Sequence, residues 1–165
     1  MFTNRISRGA PACARILVLA AAVLACVAAP ASASRASAAE AASQSAAPAY
    51  RNDRLSVEVI GAGPDVILIP GYASSREVWR DLARTLSASH RVHLVQLAGF
   101  AGEPWVHGGG PFLQPAVDAL AAYVAEARLN AAAVIGHSMG GLSALMLAQD
   151  HPTLVGRVMS VDSLP

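Results

Sequence analysis

The chain has 165 residues, of which 54% are hydrophobic and 14% are charged, and its formal net charge is +1 at pH 7. It contains no lysine, and its 12 basic residues are arginines scattered along the sequence. A nucleic-acid surface needs clustered positive charge, and a P-loop needs a lysine on its phosphates. We therefore predict no nucleic-acid partner and exclude P-loop nucleotide chemistry.

The first 33 residues have the composition of a secretory signal peptide. Arg5, Arg8 and Arg15 precede the apolar run ILVLAAAVLACVAA, and small residues follow in PASASRAS. A basic start, an apolar stretch and a small-residue cleavage site, in that order, are typical of export signals. The apolar run is shorter than the ~20 residues that a membrane-spanning helix requires. We predict cleavage after Ala33 and a periplasmic or secreted protein without a transmembrane span.

Both cysteines, Cys13 and Cys26, lie in this leader. Cleavage removes them, so the mature chain has no disulfide framework and no thiolate metal ligand. It also removes three arginines and no acid, which leaves nine arginines against eleven acidic residues and a charge of −2. An alternative is lipid attachment at Cys26, because VLAC resembles a bacterial lipoprotein box, although Leu24 stands where a smaller or β-branched residue is usual.

The sequence after the leader divides into a tether and a folded part. Residues 34–49 are rich in alanine and serine and lack large apolar side chains, which predicts a flexible tether. In residues 50–165, strand patterns alternate with helix patterns, and the run VILIP is typical of a strand buried on both faces. This alternation predicts an α/β fold with a mostly parallel sheet of about five strands, flanked by helices.

The first predicted helix has an apolar stripe. Val78, Leu82 and Leu86 recur at helical spacing with charged residues opposite, which is the pattern of a helix that packs through one face. Ser74 or Ser75 is suited to cap its N-terminus.

The segment VIGHSMGG has the pattern Gly136-x-Ser138-x-Gly140 at the point where a strand pattern becomes a helix pattern. Ser138 is either a nucleophile on a sharp turn or an ordinary small residue at a helix start. Context favours the nucleophile, because the glycines leave room for a strained backbone and the helix N-terminus supplies positive potential where an oxyanion forms.

Four blocks in order, ILIPGYASSREVW, VQLAGFAG, VIGHSMGG and HPTLVGRVMSVDS, make the sequence from Leu55 to Asp162 resemble the α/β-hydrolase superfamily. The resemblance implies an α/β-hydrolase fold with Ser138 as the catalytic nucleophile. It also implies an oxyanion hole formed by the backbone amides of Met139 and Tyr72. The chain has Pro70 where the family usually has histidine, but the donor is a backbone group, so the change leaves the oxyanion hole intact.

Another departure from the family lies in VQLAGFAG, where Gln96 replaces the acid of the usual Asp-x-x-Gly-x-Gly segment. The role of this position stays open at the level of sequence.

The histidines before Ser138 do not suit the role of its base. His137 is adjacent in sequence and points differently, so we expect it to pack at the turn. His90 and His93 flank a strand and are interpreted as structural, and His107 beside GGG is interpreted as a loop residue. No metal-ligand motif is present, and we predict no metal and no cofactor.

In this family the triad acid and histidine follow the serine in the chain. His151 follows 13 residues after Ser138 at the far end of a predicted helix, about 20 Å away at 1.5 Å per residue, and is too distant to act as base. Asp162, which ends the last predicted strand, is a candidate for the acid. We therefore expect the sequence to be the N-terminal part of a longer hydrolase, inactive without the remainder.

These features predict an exported serine hydrolase that cleaves carboxylic esters or related acyl compounds through an acyl-enzyme on Ser138. Two alternatives remain open. One is a noncatalytic binding protein with this fold, and the other is an acyltransferase or perhydrolase. Because a fold does not choose a substrate, the acyl chain and the leaving group stay undefined.

Overall fold

A computed structural model of the protein describes residues 49–163. The predicted signal peptide, residues 1–33, and nearly all of the predicted tether, residues 34–49, lie outside the described residues, so both stay predictions. The strands are β1 (Tyr50–Arg51), β2 (Leu55–Ile60), β3 (Asp65–Ile69), β4 (Arg91–Leu97), β5 (Ala132–His137) and β6 (Val155–Val161). The helices are a 3-10 turn (Arg76–Trp79), α1 (Arg80–Leu86), α2 (Leu113–Glu126) and α3 (Met139–Asp150). None of the helices in residues 49–163 is long and apolar enough to cross a membrane.

The strands form one six-stranded sheet in the order β1-β2-β4-β3-β5-β6. The pairs β1–β2 and β2–β4 are antiparallel, and the pairs β3–β4, β3–β5 and β5–β6 are parallel. The prediction of a mostly parallel sheet in an α/β fold is therefore confirmed. The strand beyond the expected five is β1, which has two residues and is too short to show an alternating pattern.

The sheet has a core on each face because side chains alternate along its strands. On β3, Ile67 and Ile69 pack with α2 and α3, whereas Val66 and Leu68 face the opposite way, toward α1. Val66 to Ile69 are all buried, as expected for a central strand covered by helices on both sides.

The predicted apolar stripe of α1 is right at Leu86, which packs with the core, and wrong at Val78 and Leu82. Val78 is 61% exposed and Leu82 is 38% exposed, while Ala83 is fully buried. The segment begins as a 3-10 turn, which advances about 120° per residue instead of the 100° of an α-helix, so Val78, which lies in that turn, is rotated off the face that Ala83 and Leu86 present to the core. Arg80 reinforces this orientation through two hydrogen bonds, of 2.7 and 2.9 Å, to the carboxylate of Glu58 on β2.

The predicted cap of this segment is confirmed. The hydroxyl of Ser75 accepts a hydrogen bond of 3.2 Å from the backbone amide of Glu77, so Ser75 is the N-cap of the 3-10 turn.

Candidate active site

Ser138 lies between the end of β5 and the start of α3, on the turn that the sequence predicted. Its backbone has φ 52° and ψ −120°, a conformation that residues with a side chain rarely adopt. Its amide donates to the carbonyl of Val161 on β6 at 2.9 Å, and its carbonyl accepts from the amide of Gly141 at 2.9 Å. The neighbouring strand and the helix together hold this turn in its strained geometry.

Residues with strained backbone cluster at one edge of the sheet, the edge formed by the carboxyl ends of the parallel strands. Of the six non-glycine residues with positive φ in residues 49–163, four lie in the segments that follow β3, β4, β5 and β6, namely Ala73, Ala101, Ser138 and Asp162. The carboxyl ends of these parallel strands meet at the same edge. Strain that the surrounding structure maintains is typical of functional sites, which marks this edge as the candidate site.

Two glycines allow α3 to start so close to the sheet. A β-carbon on Gly136 would overlap the carbonyl of Gly140, and one on Gly140 would overlap the carbonyls of Ile69 and Pro70. The helix N-terminus therefore contacts the end of β3 directly. Because the first amides of a helix have no partner within it, they present positive potential at this edge.

The loop after β3 passes against the side chain of Ser138. A β-carbon on Gly71 would lie 3.3 Å from Cβ of Ser138 and 3.0 Å from Nδ1 of His137. The next residue, Tyr72, is 71% exposed. The assignment of the Tyr72 and Met139 amides as oxyanion donors stays a prediction, but their two segments flank Ser138.

Asp162 and His137 face each other at this edge. Nε2 of His137 lies 3.9 Å from Oδ2 of Asp162, and the Asp162 side chain is 92% exposed. His137 packs between this carboxylate and the loop after β3, at the turn, where the sequence led us to expect it.

The other histidines of residues 49–163 are engaged away from Ser138. His90 hydrogen bonds with the Ser89 hydroxyl, and His107 bonds with the carbonyl of Asp53 from its loop. His151 caps the C-terminal end of α3, at the opposite end of the helix from Ser138.

Gln96 has a role that the sequence left open. Its side chain is buried at the end of β4, where Oε1 accepts from the amide of Arg76 at 2.8 Å. Its Nε2 donates to the carbonyls of Ser74 and Phe100, at 3.3 and 3.4 Å. Gln96 thus joins the loop after β3 to the loop after β4. A polar residue near the end of a mostly apolar strand was the available sequence signal.

A buried polar cluster lies at the opposite edge of the sheet, where the parallel strands β3 and β4 begin. His93 sits inside β4 rather than flanking it, with Nε2 2.9 Å from Oδ1 of Asp65 and Nδ1 2.5 Å from the Tyr123 hydroxyl. Burial lowers the pKa of His93 and raises that of Tyr123, and the hydrogen bond from Arg91 lowers the pKa of Asp65. A neutral His93 ring donates from Nε2 to Asp65 and accepts at Nδ1 from the Tyr123 hydroxyl, so His93, Asp65 and Tyr123 all have hydrogen-bond partners. The predicted structural role of His93 fits this geometry.

Within the part of the chain that the structure describes, no group of three or more histidine, cysteine, aspartate or glutamate residues is arranged to hold a metal ion.

Fold and site together define a hydrolase-type α/β domain with a serine at the strand-to-helix turn. A family model described as alpha/beta hydrolase fold matches residues 64–165. The chain belongs to this family, and the resemblance inferred from its four sequence blocks is confirmed.

The curated relatives include esterases. A pimeloyl-(acyl-carrier protein) methyl ester esterase of Aeromonas salmonicida (strain A449) is 35% identical over 111 residues, which are 67% of this chain and 42% of that protein. The protein of the same name from Aromatoleum aromaticum is 34% identical over 62% of this chain and 38% of its own length. The chain thus spans about two fifths of the relatives it matches.

Solved structures share the fold. An alpha/beta hydrolase fold protein from Burkholderia ambifaria superposes with a TM-score of 0.63 at 22% identity, covering 72% of this chain and 45% of that one. A marine microorganism esterase superposes with a TM-score of 0.59 at 23% identity, covering 65% and 41%. At these identities the likeness supports the fold alone.

Proposed function

We propose that the protein hydrolyses carboxylic esters and that Ser138 is its nucleophile. The backbone of Ser138 carries this proposal, since a non-glycine residue is held at positive φ between a strand and a helix N-terminus, with Gly71 against its side chain. The Aeromonas relative is named a methyl ester esterase, which supports an ester as the substrate class.

In the proposed reaction, Oγ of Ser138 attacks the acyl carbonyl carbon while its proton passes to a histidine base. The base then returns the proton to the leaving alcohol as the carbon–oxygen bond breaks, which leaves an acyl-serine. Water attacks this ester in the same way, releasing the acid and restoring the serine. The amides of Met139 and Tyr72 hold the negative oxygen in both steps.

We propose that the histidine base comes from further sequence of the kind that the longer relatives carry, because His137 and His151 are unsuited to the role. Its acid comes either from that sequence or from Asp162. Asp162 is the candidate acid within the chain. Its exposed carboxylate stands at the carboxyl edge, one strand away from Ser138, so a histidine from further sequence has access to it.

The test is ester turnover by the full-length protein and two alanine variants. Ser138→Ala removes the nucleophile and is expected to abolish turnover. Ser143→Ala is the matched control, because its buried hydroxyl is bonded to the Met139 carbonyl one turn into the same helix, at 2.9 Å. Turnover that persists in Ser138→Ala would refute the proposal, and a wild type without turnover would favour a noncatalytic binding protein.

We also propose that residues 1–33 direct export to the periplasm or the medium, on the charge and hydropathy pattern of the sequence. N-terminal sequencing of the protein from its source is expected to begin at Ser34. A chain beginning at Met1 would contradict export by cleavage, and a lipid-modified start at Cys26 would identify a lipoprotein instead.

A further inference from the structure

Four aromatic rings form a continuous row beside the candidate site. The Tyr72 and Phe100 ring centroids are 5.1 Å apart, those of Phe100 and Phe112 are 5.1 Å apart, and those of Phe112 and Trp105 are 5.4 Å apart. These separations are typical of rings in direct contact. We call the row formed by Tyr72, Phe100, Phe112 and Trp105 the aromatic wall.

Two rings of the aromatic wall are partly buried, and the other two are exposed. Phe100 and Phe112 are partly buried and pack against the core under α2 and α3. Tyr72 is 71% exposed, Trp105 is 39% exposed, and Val106 beside Trp105 is 70% exposed. Large apolar surface left open in one stretch is a mark of a binding site.

Trp105 is held in place from several sides. The Arg54 guanidinium lies 5.1 Å from its ring centroid, and the His107 ring lies 5.0 Å away. A β-carbon on Gly99 would approach Cε3 of Trp105 to 3.3 Å, so the loop after β4 also supports the ring. Trp105 is therefore positioned by several contacts, although it belongs to a loop.

The aromatic wall begins one residue from the segment that lies against Ser138. Tyr72 directly follows Gly71, which lies against the side chain of Ser138. The ring contacts run from Tyr72 through Phe100 and Phe112 to Trp105, so Tyr72 is the member next to the Gly71 segment and Trp105 is the far end.

We propose that the aromatic wall is the subsite for an uncharged alkyl or aryl group of the substrate, longer than acetyl. Rings supply the exposed surface at Tyr72 and Trp105, so burial of apolar area drives binding. Only the identification of the ligand as an ester rests on the proposed function. Binding of the apolar group does not require turnover.

The first experiment measures binding without turnover. Tryptophan emission of the full-length protein is titrated with octanamide, which is uncharged and is not an ester, and with acetamide. We expect a saturable change with octanamide at a concentration at least tenfold below that needed for acetamide.

Two tryptophan variants assign the signal. Trp105→Phe is expected to lose the change, whereas Trp79→Phe is expected to keep it, because Trp79 packs with the core on the opposite face of the sheet. Equal responses to the two amides, or an unchanged response in Trp105→Phe, would overturn the proposal. The second result would mean that another part of the protein covers the aromatic wall.

The second experiment links the aromatic wall to catalysis. We expect the ratio of kcat/KM for p-nitrophenyl octanoate to that for p-nitrophenyl acetate to fall about tenfold in Trp105→Ala. Val78→Ala is the control, an apolar residue that is 61% exposed on the segment covering the other face of the sheet, and the ratio is expected to be unchanged. An unchanged ratio in Trp105→Ala would overturn the inference.

The two experiments separate the possible failures. A protein that binds octanamide through Trp105 without cleaving esters would contradict the proposed function and leave the subsite in place. A protein that cleaves esters with the same chain-length preference in Trp105→Ala would leave the proposed function in place and remove the subsite.

Discussion

Gly71 and Ser138 are in direct contact across the edge of the sheet. A β-carbon on Gly71 would stand 3.3 Å from Cβ of Ser138 and 3.0 Å from Nδ1 of His137, so a side chain there would require its neighbours to shift by a few tenths of an ångström. The contact fixes where the amide of Tyr72 lies relative to the serine. The proposed oxyanion hole therefore depends on the absence of a side chain at Gly71.

Gly71→Ala is expected to lower kcat for ester hydrolysis by about 10²-fold, because a displaced amide no longer meets the developing oxyanion. The measurement is steady-state kinetics together with the thermal unfolding midpoint. Ala73→Ser, two residues along the same loop, is the control and is expected to retain most of the activity. A Gly71→Ala variant with wild-type kcat would exclude the Tyr72 amide as donor.

Ser138→Gly is expected to make the protein more stable than Ser138→Ala, by about 1 kcal/mol in the free energy of unfolding. Both substitutions remove the hydroxyl, but only glycine adopts φ 52° with ψ −120° without strain, which costs about 1–3 kcal/mol for other residues. The greater freedom of glycine in the unfolded chain offsets part of this gain. Urea unfolding of the two variants measures the difference, and an alanine variant of equal or higher stability would show that the turn is not strained.

Gln96→Leu is expected to destabilise the protein by about 1–3 kcal/mol, because the amide of Arg76 and the carbonyl of Ser74 lose a buried partner. Ester turnover is expected to fall with it, since these residues belong to the loop that carries Gly71. Gln114→Leu, an exposed glutamine at the start of α2, is expected to change stability by less than about 0.5 kcal/mol. Equal effects of the two substitutions on urea unfolding would show that Gln96 does not join the loops.

The stability of the protein is expected to fall between pH 7.5 and pH 5.5 through His93. Burial lowers the pKa of His93 in the folded state, so the unfolded chain takes up a proton near its ordinary pKa of about 6.5 while the folded chain resists it. The stabilisation that this pKa difference provides is fully present above about pH 6.5, and it is lost as the pH falls toward the pKa of His93 in the folded protein. The lowered pKa of Asp65 has the same sign but acts below about pH 4, outside this window.

Urea unfolding at the two pH values measures the effect of His93. His93→Gln is expected to reduce the pH dependence, because the titrating group is gone. Tyr123→Phe removes the hydroxyl bonded to Nδ1 and is expected to lower stability by about 1 kcal/mol while a pH dependence remains. A His93→Gln variant with the wild-type slope would assign the pH dependence to other groups.

The turn at Ser138 was predictable because its requirements are local. A sharp passage from strand to helix needs small residues on both sides of the serine, and Gly136 and Gly140 show that need in the sequence itself. The apolar run of β3 was equally predictable, because Val66 to Ile69 are buried on both faces of the sheet and none of them is polar.

The phase of α1 and the role of Gln96 were not predictable in the same way. The stripe through Val78 and Leu82 follows α-helical periodicity, but a 3-10 turn and the pairing of Arg80 with Glu58 set the orientation, and both depend on contacts outside the helix. The partners of Gln96 lie on two loops that the sequence does not bring together. Nor did spacing indicate the row from Tyr72 to Trp105, because Tyr72 lies after β3 and the other three rings lie between β4 and α2.

Covalent labelling of Ser138 is the sharpest test of its role as the nucleophile. The full-length protein is treated with a fluorophosphonate, digested, and the peptide covering residues 131–152 is weighed by mass spectrometry. We expect one phosphonyl adduct per chain on Ser138, with none in Ser138→Ala and an unchanged yield in Ser143→Ala. An active protein with no adduct on this peptide, or with the adduct on another serine, would contradict the assignment of Ser138 as nucleophile.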